Sequence, residues 1–363
     1  MKINVLMIPT GGMGVDGITN VIMNYGTYLD KEKYGVYIVS PKAKCDSMLY
    51  RQLKNNFESN RCTVIDMFCR NKPIAYIYNL IKIIKRNEID IVHVHGSSSL
   101  MFIELLAAWI AGVKVRIAHS HNTSCSHMTM HRVFKPIFNV LCNRRIACGE
   151  LAGKWLFENR LFKVLNNGID AVKFAYSEAI RTEVRNSLGL NKNKVLGHVG
   201  SFNRQKNHSY MLDVFAELLK TDDSWRLVLI GDGELRGEVE QKAEKLNIRD
   251  KVLFLGRCLE AQRYIQAFDC MILPSIYEGL PLVALEWQAA GLPLIVSDSV
   301  TSEIKLTDLV EFISLNKSAK EWVESILCTD IINRRKNDYV SVLRQRGYDI
   351  RENINALEEI YIF

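Results

Sequence analysis

Apolar positions along the chain fall into short continuous runs, separated by stretches in which they recur at helical spacing. Ile3–Pro9 is such a run, followed by a glycine-rich turn (Gly11, Gly12, Gly14, Gly17) and an amphipathic stretch over 18–29. Further strands are predicted at 34–40, 63–67, 90–94 and 113–119, with helices at 48–56, 74–86, 98–111 and 134–144. Strand–helix alternation at this interval implies right-handed crossovers, and hence a parallel sheet covered by helices on both faces.

The rhythm then restarts. Strands at 195–200, 225–230, 252–255, 270–274 and 293–297 alternate with helices at 209–219, 236–246, 261–267 and 282–290. The stretches 166–170 and 191–194 are polar turn material, so the junction is placed near 165–192. This gives domains at 1–170 and 190–346, with a C-terminal helix near 347–363 packing back on the first. The expected fold class is α/β: two Rossmann-like, doubly wound domains facing a cleft, where a ligand belongs.

At 363 residues the chain can bury two substantial cores without staples. Its 48% hydrophobic and 24% charged residues exclude a disordered or fibrous protein. Nine cysteines are scattered with no C-x-x-C pair, which argues against a disulfide framework or zinc ribbon and for a reducing compartment. The longest apolar candidate, 99–113, carries Glu104 and Gly112 and reads as a core helix, not a membrane span. A soluble, cytoplasmic protein is expected.

Charge changes the picture. Residues 1–165 hold 22 Lys and Arg against 11 Asp and Glu, whereas the remainder holds 25 against 29. One basic half suggests that a single face meets an anionic partner. No basic–aromatic run or recognition helix is present, so nucleic acid is the weaker reading. An anionic membrane surface or a phosphorylated acceptor fits better.

The most informative segment runs from Pro274 to Pro293. A strand ends at Pro274, a loop carries Glu278-Gly279-Leu280-Pro281, and a helix is expected to begin at or just after Pro281. The amides of Gly279 and Leu280, with the positive helix end behind them, suit a phosphate. Glu278 and Glu286 are carboxylates able to accept from vicinal hydroxyls of a sugar and a ribose. Two histidine pairs, His93/His95 and His119/His121, each share one side of a strand end. That placement would suit a metal, but no carboxylate completes a site at motif spacing, and a polar strand end is the plainer reading of His93 and His95. Gly12-x-Gly14-x-x-Gly17 fits the dinucleotide pattern literally, yet the next acids, Asp30 and Glu32, end a helix and not the second strand. A nicotinamide enzyme is therefore disfavoured.

The Glu-x7-Glu block, in its setting of Pro274-Ser275 and Gln288-Ala-Ala-Gly-Leu-Pro293, closely resembles family-4 retaining glycosyltransferases of the GT-B fold, as in bacterial capsule and exopolysaccharide synthesis. Val199-Gly-Ser-Phe-Asn-Arg-Gln-Lys-Asn-His208, Ile230-Gly-Asp-Gly-Glu234, Phe254-Leu-Gly256, Asn167-Gly-Ile-Asp170 and Val21-Ile-Met-Asn-Tyr25 match in order. The resemblance implies a nucleotide diphosphate sugar donor, UDP-linked, a hydroxyl acceptor on a glycan or polyprenyl-diphosphate carrier, and no metal or other cofactor. It places catalysis on Lys206 (donor diphosphate), Glu278, His121 (donor sugar) and Arg204. Arg204 is assigned a guanidinium that relatives carry where this chain has Ser201. Donor contacts fall on Gly12, Gly17, Ser201, Gly256, Arg257, Gly279, Leu280, Pro281 and Glu286; acceptor contacts fall on Asp16, His95 and His119. Such an enzyme is expected at the inner face of the cell membrane. Two other readings remain: a non-catalytic glycosyltransferase-like subunit, supported by Ser201, and a nucleotide-sugar epimerase.

Overall fold

The computed structural model describes residues 2–14, 17–41, 48–67, 70–258, 260–329 and 338–362. They form two compact units, Met1–Ile169 with Gly347–Phe363, and Asp170–Arg346.

The first unit alternates as its apolar runs require: β1 Ile3–Pro9, α1 Gly17–Tyr28, β2 Tyr34–Pro41, α2 Met48–Ser59, β3 Cys62–Met67, α3 Pro73–Arg86 and β4 Ile91–Gly96. A 3-10 turn at Ser99–Met101 leads into α4 Phe102–Ile110, then β5 Val115–Ser120, α5 Met128–Leu141, β6 Arg144–Ala147, α6 Glu150–Phe157 and β7 Lys163–Val164. All seven strands are parallel, in the order β3-β2-β1-β4-β5-β6-β7. Even positions of β4 (Val92, Val94) enter a core with α3, α4, α5 and α6. Odd positions, including His93 and His95, face the other side, because successive strand residues alternate.

The second unit holds α7 Ala171–Phe174, α8 Glu178–Ser187, β8 Lys194–Val199, α9 His208–Thr221, β9 Trp225–Ile230, α10 Arg236–Lys245 and β10 Val252–Gly256. The chain continues through α11 Ala261–Tyr264, β11 Cys270–Leu273, α12 Leu282–Ala289, β12 Leu294–Ser297, β13 Val310–Ile313, α13 Ala319–Cys328 and α14 Tyr339–Gln345. Its six strands run parallel in the order β10-β9-β8-β11-β12-β13. Helices α9, α10 and α13 bury one face, and α8 and α12 the other. The last helix, α15 (Ile350–Tyr361), returns to the first unit, where it packs on α1.

Three expectations are corrected. The helix expected at 134–144 is two elements, because Cys142 leaves α5 with extended backbone and Arg144–Ala147 pair with β5. Arg144 and Arg145, which read as a basic helix end, start a strand. The helix expected at 98–111 opens instead as a 3-10 turn, capped by the Ser98 hydroxyl. Residues 170–189 belong to the second unit and are no linker: Arg181 and Arg185 of α8 reach Asp269 at 2.5 and 3.3 Å.

Strand order reverses between β1 and β4 in the first unit, and between β8 and β11 in the second. Loops leaving neighbouring strands in opposite directions open a crevice at such a point. In the second unit these are the loops after β8 and β11, the two segments the motifs single out.

Candidate active site

The loop after β8 is tied to the loop after β11 by backbone and side chain. Ile276 donates its amide to the Gln205 carbonyl at 2.8 Å, and Gln205 Nε2 donates to the Tyr277 carbonyl at 3.0 Å. Asn203 Oδ1 accepts the Lys206 amide at 3.0 Å, and Asn207 turns the chain through a left-handed conformation (φ 55°) into α9. These bonds bring Lys206 Nζ within 2.6 Å of Glu278 Oε1, with both side chains largely buried. Ser275 Oγ donates to the same oxygen at 3.0 Å. Of the positions singled out in the sequence, Lys206 and Glu278 are thus brought into direct contact.

Helix α12 begins at Leu282, just after Pro281 as expected, with the proline at the N-cap instead of the first helical position. Pro281 is its N-cap (ψ 105°), and Ala284 already donates back to the Pro281 carbonyl. The first-turn amides nearest the loop are therefore those of Leu282 and Val283, not of Gly279 and Leu280. The positive end of α12 still faces this loop.

Glu286 stands on the second turn of α12. Desolvation pushes its carboxyl up to about 7, and the charge of Lys173 on α7 opposes the rise. In the free protein this group therefore holds its proton through part of the neutral range.

The close approach of β8 and β9 explains the Gly-Asp-Gly motif. A Cβ on Gly231 would sit 1.9 Å from the Gly200 carbonyl oxygen, and its φ of +143° lies outside the range of other residues. Asp232 accepts from the Gly233 amide and stands 3.7 Å from Arg257 Nε. Gly256 (φ +73°) closes the same edge by accepting the Gly231 amide. Ser201 is exposed on the loop. Arg204 is exposed too, and lines a separate hollow of about 680 Å³ with Leu235, Lys242 and Ile276. Lys206 and Glu278 are not among the residues lining that hollow.

In the first unit, Gly12 takes φ +78° at the end of β1, and Gly17 opens α1 with free space where a Cβ would point. Asp16 lies outside the described residues. The two histidine pairs meet across the sheet, because His95 pairs in register with His119. His93 Nε2 lies 3.2 Å from His119 Nδ1, and His95 Nδ1 lies 3.0 Å from His121 Nε2. Tyr361 of α15 bonds His93 Nδ1 at 2.8 Å, while Tyr25 of α1 stacks over the group. His95 and His119 have no exposed surface, which corrects their assignment to the acceptor. Their side chains fill a layer between the sheet and the helices α1 and α15.

Nitrogens of His93, His95 and His119 lie within 4.8 Å of one another, close enough to invite a metal. His93 Nε2 and His119 Nδ1, however, share a hydrogen bond at 3.2 Å in which one nitrogen donates its N–H to the other's lone pair, so both are already engaged with each other. Burial pushes His93 and His121 down to about 3 and holds His95 and His119 well below the usual range. The four rings are neutral. His121 ends the cluster and is partly exposed, though its Nδ1 is shielded beside Asn167.

Ser275, Gln205 and Lys173 were missed as site residues. Ser275 and Gln205 stood inside quoted motifs without a role. Lys173 carries no local signal, since its relation to Glu286 exists only through the packing of α7 on α12.

The model of Glycosyltransferase Family 4 matches residues 15–196, and that of Glycosyl transferases group 1 matches residues 180–327. The protein named as glycosyltransferase EpsF in Bacillus subtilis is 33% identical, with 96% of this chain and 94% of that protein covered. The chain belongs to glycosyltransferase family 4. An Escherichia coli relative, UDP-Gal:alpha-D-GlcNAc-diphosphoundecaprenol alpha-1,3-galactosyltransferase, is 29% identical over 84% of each chain. Among solved structures, Anabaena HepE in complex with UDP-glucose superposes with a TM-score of 0.78 at 17% identity, covering 99% of both chains. That likeness shows the fold: two Rossmann-like α/β domains, as the periodicity predicts. Among the described residues no helix is long and apolar enough to cross a membrane.

Proposed function

We propose that this family-4 enzyme is a retaining hexosyltransferase. In this reading it moves a sugar from a UDP-linked donor to a hydroxyl of a glycan or polyprenyl-diphosphate-linked acceptor, in the synthesis of a surface polysaccharide. The observation that carries the reading is the Lys206–Glu278 pair at 2.6 Å, set at the strand-order reversal of the second sheet beside the start of α12. A diphosphate arriving there replaces one anion by another at the ammonium, and frees Glu278 to accept sugar hydroxyls. Negative charge then grows on the departing phosphate, where Lys206 and the helix start are already aimed, so no reorganisation is needed at the moment of reaction. Retention follows from departure and attack on the same face through an oxocarbenium-like state, with no enzymic nucleophile. His121, neutral, contributes a hydrogen bond to a hydroxyl, and Glu286 accepts from the ribose diol.

The relatives support the donor and acceptor classes: one is named for a UDP-galactose donor and a diphosphoundecaprenol acceptor, and HepE was solved with UDP-glucose. No metal enters the proposed reaction. Incubation with UDP-sugars and a lipid-diphosphate glycan should release UDP and give a product of unchanged anomeric configuration by NMR. The rate should be the same with and without EDTA. An inverted product overturns the retaining assignment, and turnover lost to EDTA and restored by a divalent ion overturns the metal-free one. Release of a free epimer without acceptor would favour the epimerase reading, and no turnover with any donor the non-catalytic one.

Glu286 sets a pH dependence. Hydroxyls donate to a carboxylate, so donor binding favours the ionised form of a group whose pKa in the free protein is about 7. UDP should therefore bind more tightly as pH rises from 6 to 8, and Glu286→Gln should flatten the profile in isothermal titration. The same shift acts on folding: the native state holds this proton more tightly than the unfolded chain. Its stabilising contribution is present at low pH and is lost as pH rises through about 7. A wild-type UDP affinity that does not change across this range would rule out a titrating Glu286 at the donor.

A further inference from the structure

The hollow of about 680 Å³ beside Arg204 has no part in the proposed reaction, and it lies where two helices start. Asn207, His208 and Ser209 at the head of α9 line it, as do Leu235, Glu238 and Val239 at the head of α10. A helix start is ordinarily closed by a side-chain oxygen on extended backbone. Asn207 is left-handed and gives no such cap, and Leu235 has no oxygen to give. The amides of His208, Ser209 and Tyr210 therefore have no acceptor among the described residues. His208 is only 3% exposed, yet neither ring nitrogen has a partner among the described residues. Phe202 stacks on its ring with centroids 4.1 Å apart. Burial, with the charge of Lys206, pushes His208 down to about 3, so the ring is neutral and brings one N–H and one lone pair. Lys242 is already engaged, by Ser209 Oγ at 2.8 Å and Asp213 at 2.6 Å. Lys245 stands about one turn further along α10 and, like Arg204 in the loop before α9, has no ion-pair partner among the described residues. Leu246 and Ile276 add apolar lining.

We propose that this hollow binds a phosphate monoester of a small organic molecule, at a site distinct from that of the donor diphosphate. The phosphoryl group takes the start of α9, Arg204, Lys245 and the His208 N–H, and the organic body lies on Leu235, Leu246 and Ile276. Two unpaired cations and an uncapped helix start against one acid, Glu238, call for an anion. Amides, guanidinium, ammonium and imidazole together offer more donors than the two oxygens of a carboxylate can take, and three terminal phosphoryl oxygens suit them better. The volume lies within the roughly 300–1,000 Å³ of small-molecule sites, more than a bare phosphate needs. The proposal does not rest on the donor reading, and its test needs neither donor nor acceptor.

The full chain is titrated by calorimetry with phenyl phosphate, inorganic phosphate and phenol, without nucleotide, as wild type and as Lys206→Ala. One phenyl phosphate per chain is expected to remain bound in Lys206→Ala, with inorganic phosphate weaker and phenol not bound. In that background Lys245→Glu should weaken both phosphates at least about tenfold, the worth of a hydrogen bond to a charged group. Ile276→Ser should weaken the ester and leave inorganic phosphate as it was. His208→Phe, which keeps the stacked ring and removes both nitrogens, should weaken both. Lys192→Glu makes the same charge change in the turn before β8, at the other end of that strand, and should change nothing. Lys245, Ile276 and Lys192 are exposed, so an unchanged melting temperature certifies the fold of these variants. Binding lost in Lys206→Ala would put the phosphate at the donor site and overturn the proposal. So would no binding in either background, equal loss with Lys192→Glu, or phenol binding as tightly as its ester. Inorganic phosphate binding as tightly as the ester would overturn it too, since the apolar lining would then hold nothing. Binding retained in a chain that turns over no UDP-sugar would leave this site standing while the proposed reaction falls.

Discussion

Lys206→Ala is expected to lower kcat by about 10²–10³, the range for removing one preorganised stabiliser of transition-state charge. Two consequences add. The departing phosphate loses its cation, and Glu278, largely buried with its Oε1 on Lys206 and Ser275, keeps its negative charge beside the incoming diphosphate. Donor binding should therefore weaken as well as turnover. Lys206→Arg should restore part of the activity, since charge is kept while the point geometry at Glu278 is not. Glu278→Gln in the Lys206→Ala background should recover UDP affinity, because the uncompensated carboxylate is removed. Steady-state kinetics with calorimetric UDP binding give both numbers. A fall in kcat below tenfold would show that Lys206 is not at the phosphate.

The largest expected effect on stability lies at Asp269, away from the site. Its carboxylate takes Arg181 Nη2 at 2.5 Å, Arg185 Nη1 at 3.3 Å and the Val195 amide at 2.8 Å, and its exposure is 7%. Arg181 and Arg185 also donate to the carbonyls of Phe268, Ala267 and Leu190, so they cannot swing out to water without breaking the loop before β11. Asp269→Ala leaves two enclosed guanidinium groups with no counter-charge, and should cost about 3–5 kcal/mol. Asp269→Asn, which keeps an acceptor, should cost less. Replacing Arg185 and Asp269 together by apolar residues of similar size should be milder than Asp269→Ala alone. Urea titration followed by tryptophan fluorescence reads this unit, since Trp225, Trp287 and Trp322 are all fully buried in it. A loss under about 1 kcal/mol would mean that the arginines find other partners.

Much of the fold was open to reading because strand and helix periods differ. Trp225–Ile230 and Ile3–Pro9 carry the unbroken apolar runs 227–230 and 5–9, which only a doubly covered parallel strand makes use of, and both strands begin and end where expected. The Pro-Ser…Glu-x7-Glu block announced its own strand, loop and helix, because local turn chemistry and one family pattern agreed. β6 was hidden for the opposite reason: its apolar content is Ile146 and Ala147 alone, too short to outweigh two arginines. α8 fell inside the junction drawn between the polar turns at 166–170 and 191–194. Its burial comes from Arg181 and Arg185 meeting an aspartate more than 80 residues away.

What the sequence determined by itself is the succession of elements, and with it two parallel sheets, since crossovers after short buried strands leave few alternatives. It also singled out the loops after β8 and β11, on which the proposed anion-binding and sugar-binding groups stand. Tertiary structure alone decided which of those groups meet. Lys206 and Glu278 are 72 positions apart and touch because β8 and β11 are neighbours in the sheet. His95 and His119 left the candidate site because register set them side by side beneath α15, whose Tyr361 lies 268 positions from His93. Period and turn chemistry act over a few residues, so a sequence displays them directly. Strand order and register are settled by burying all the faces at once, and no local segment contains that information.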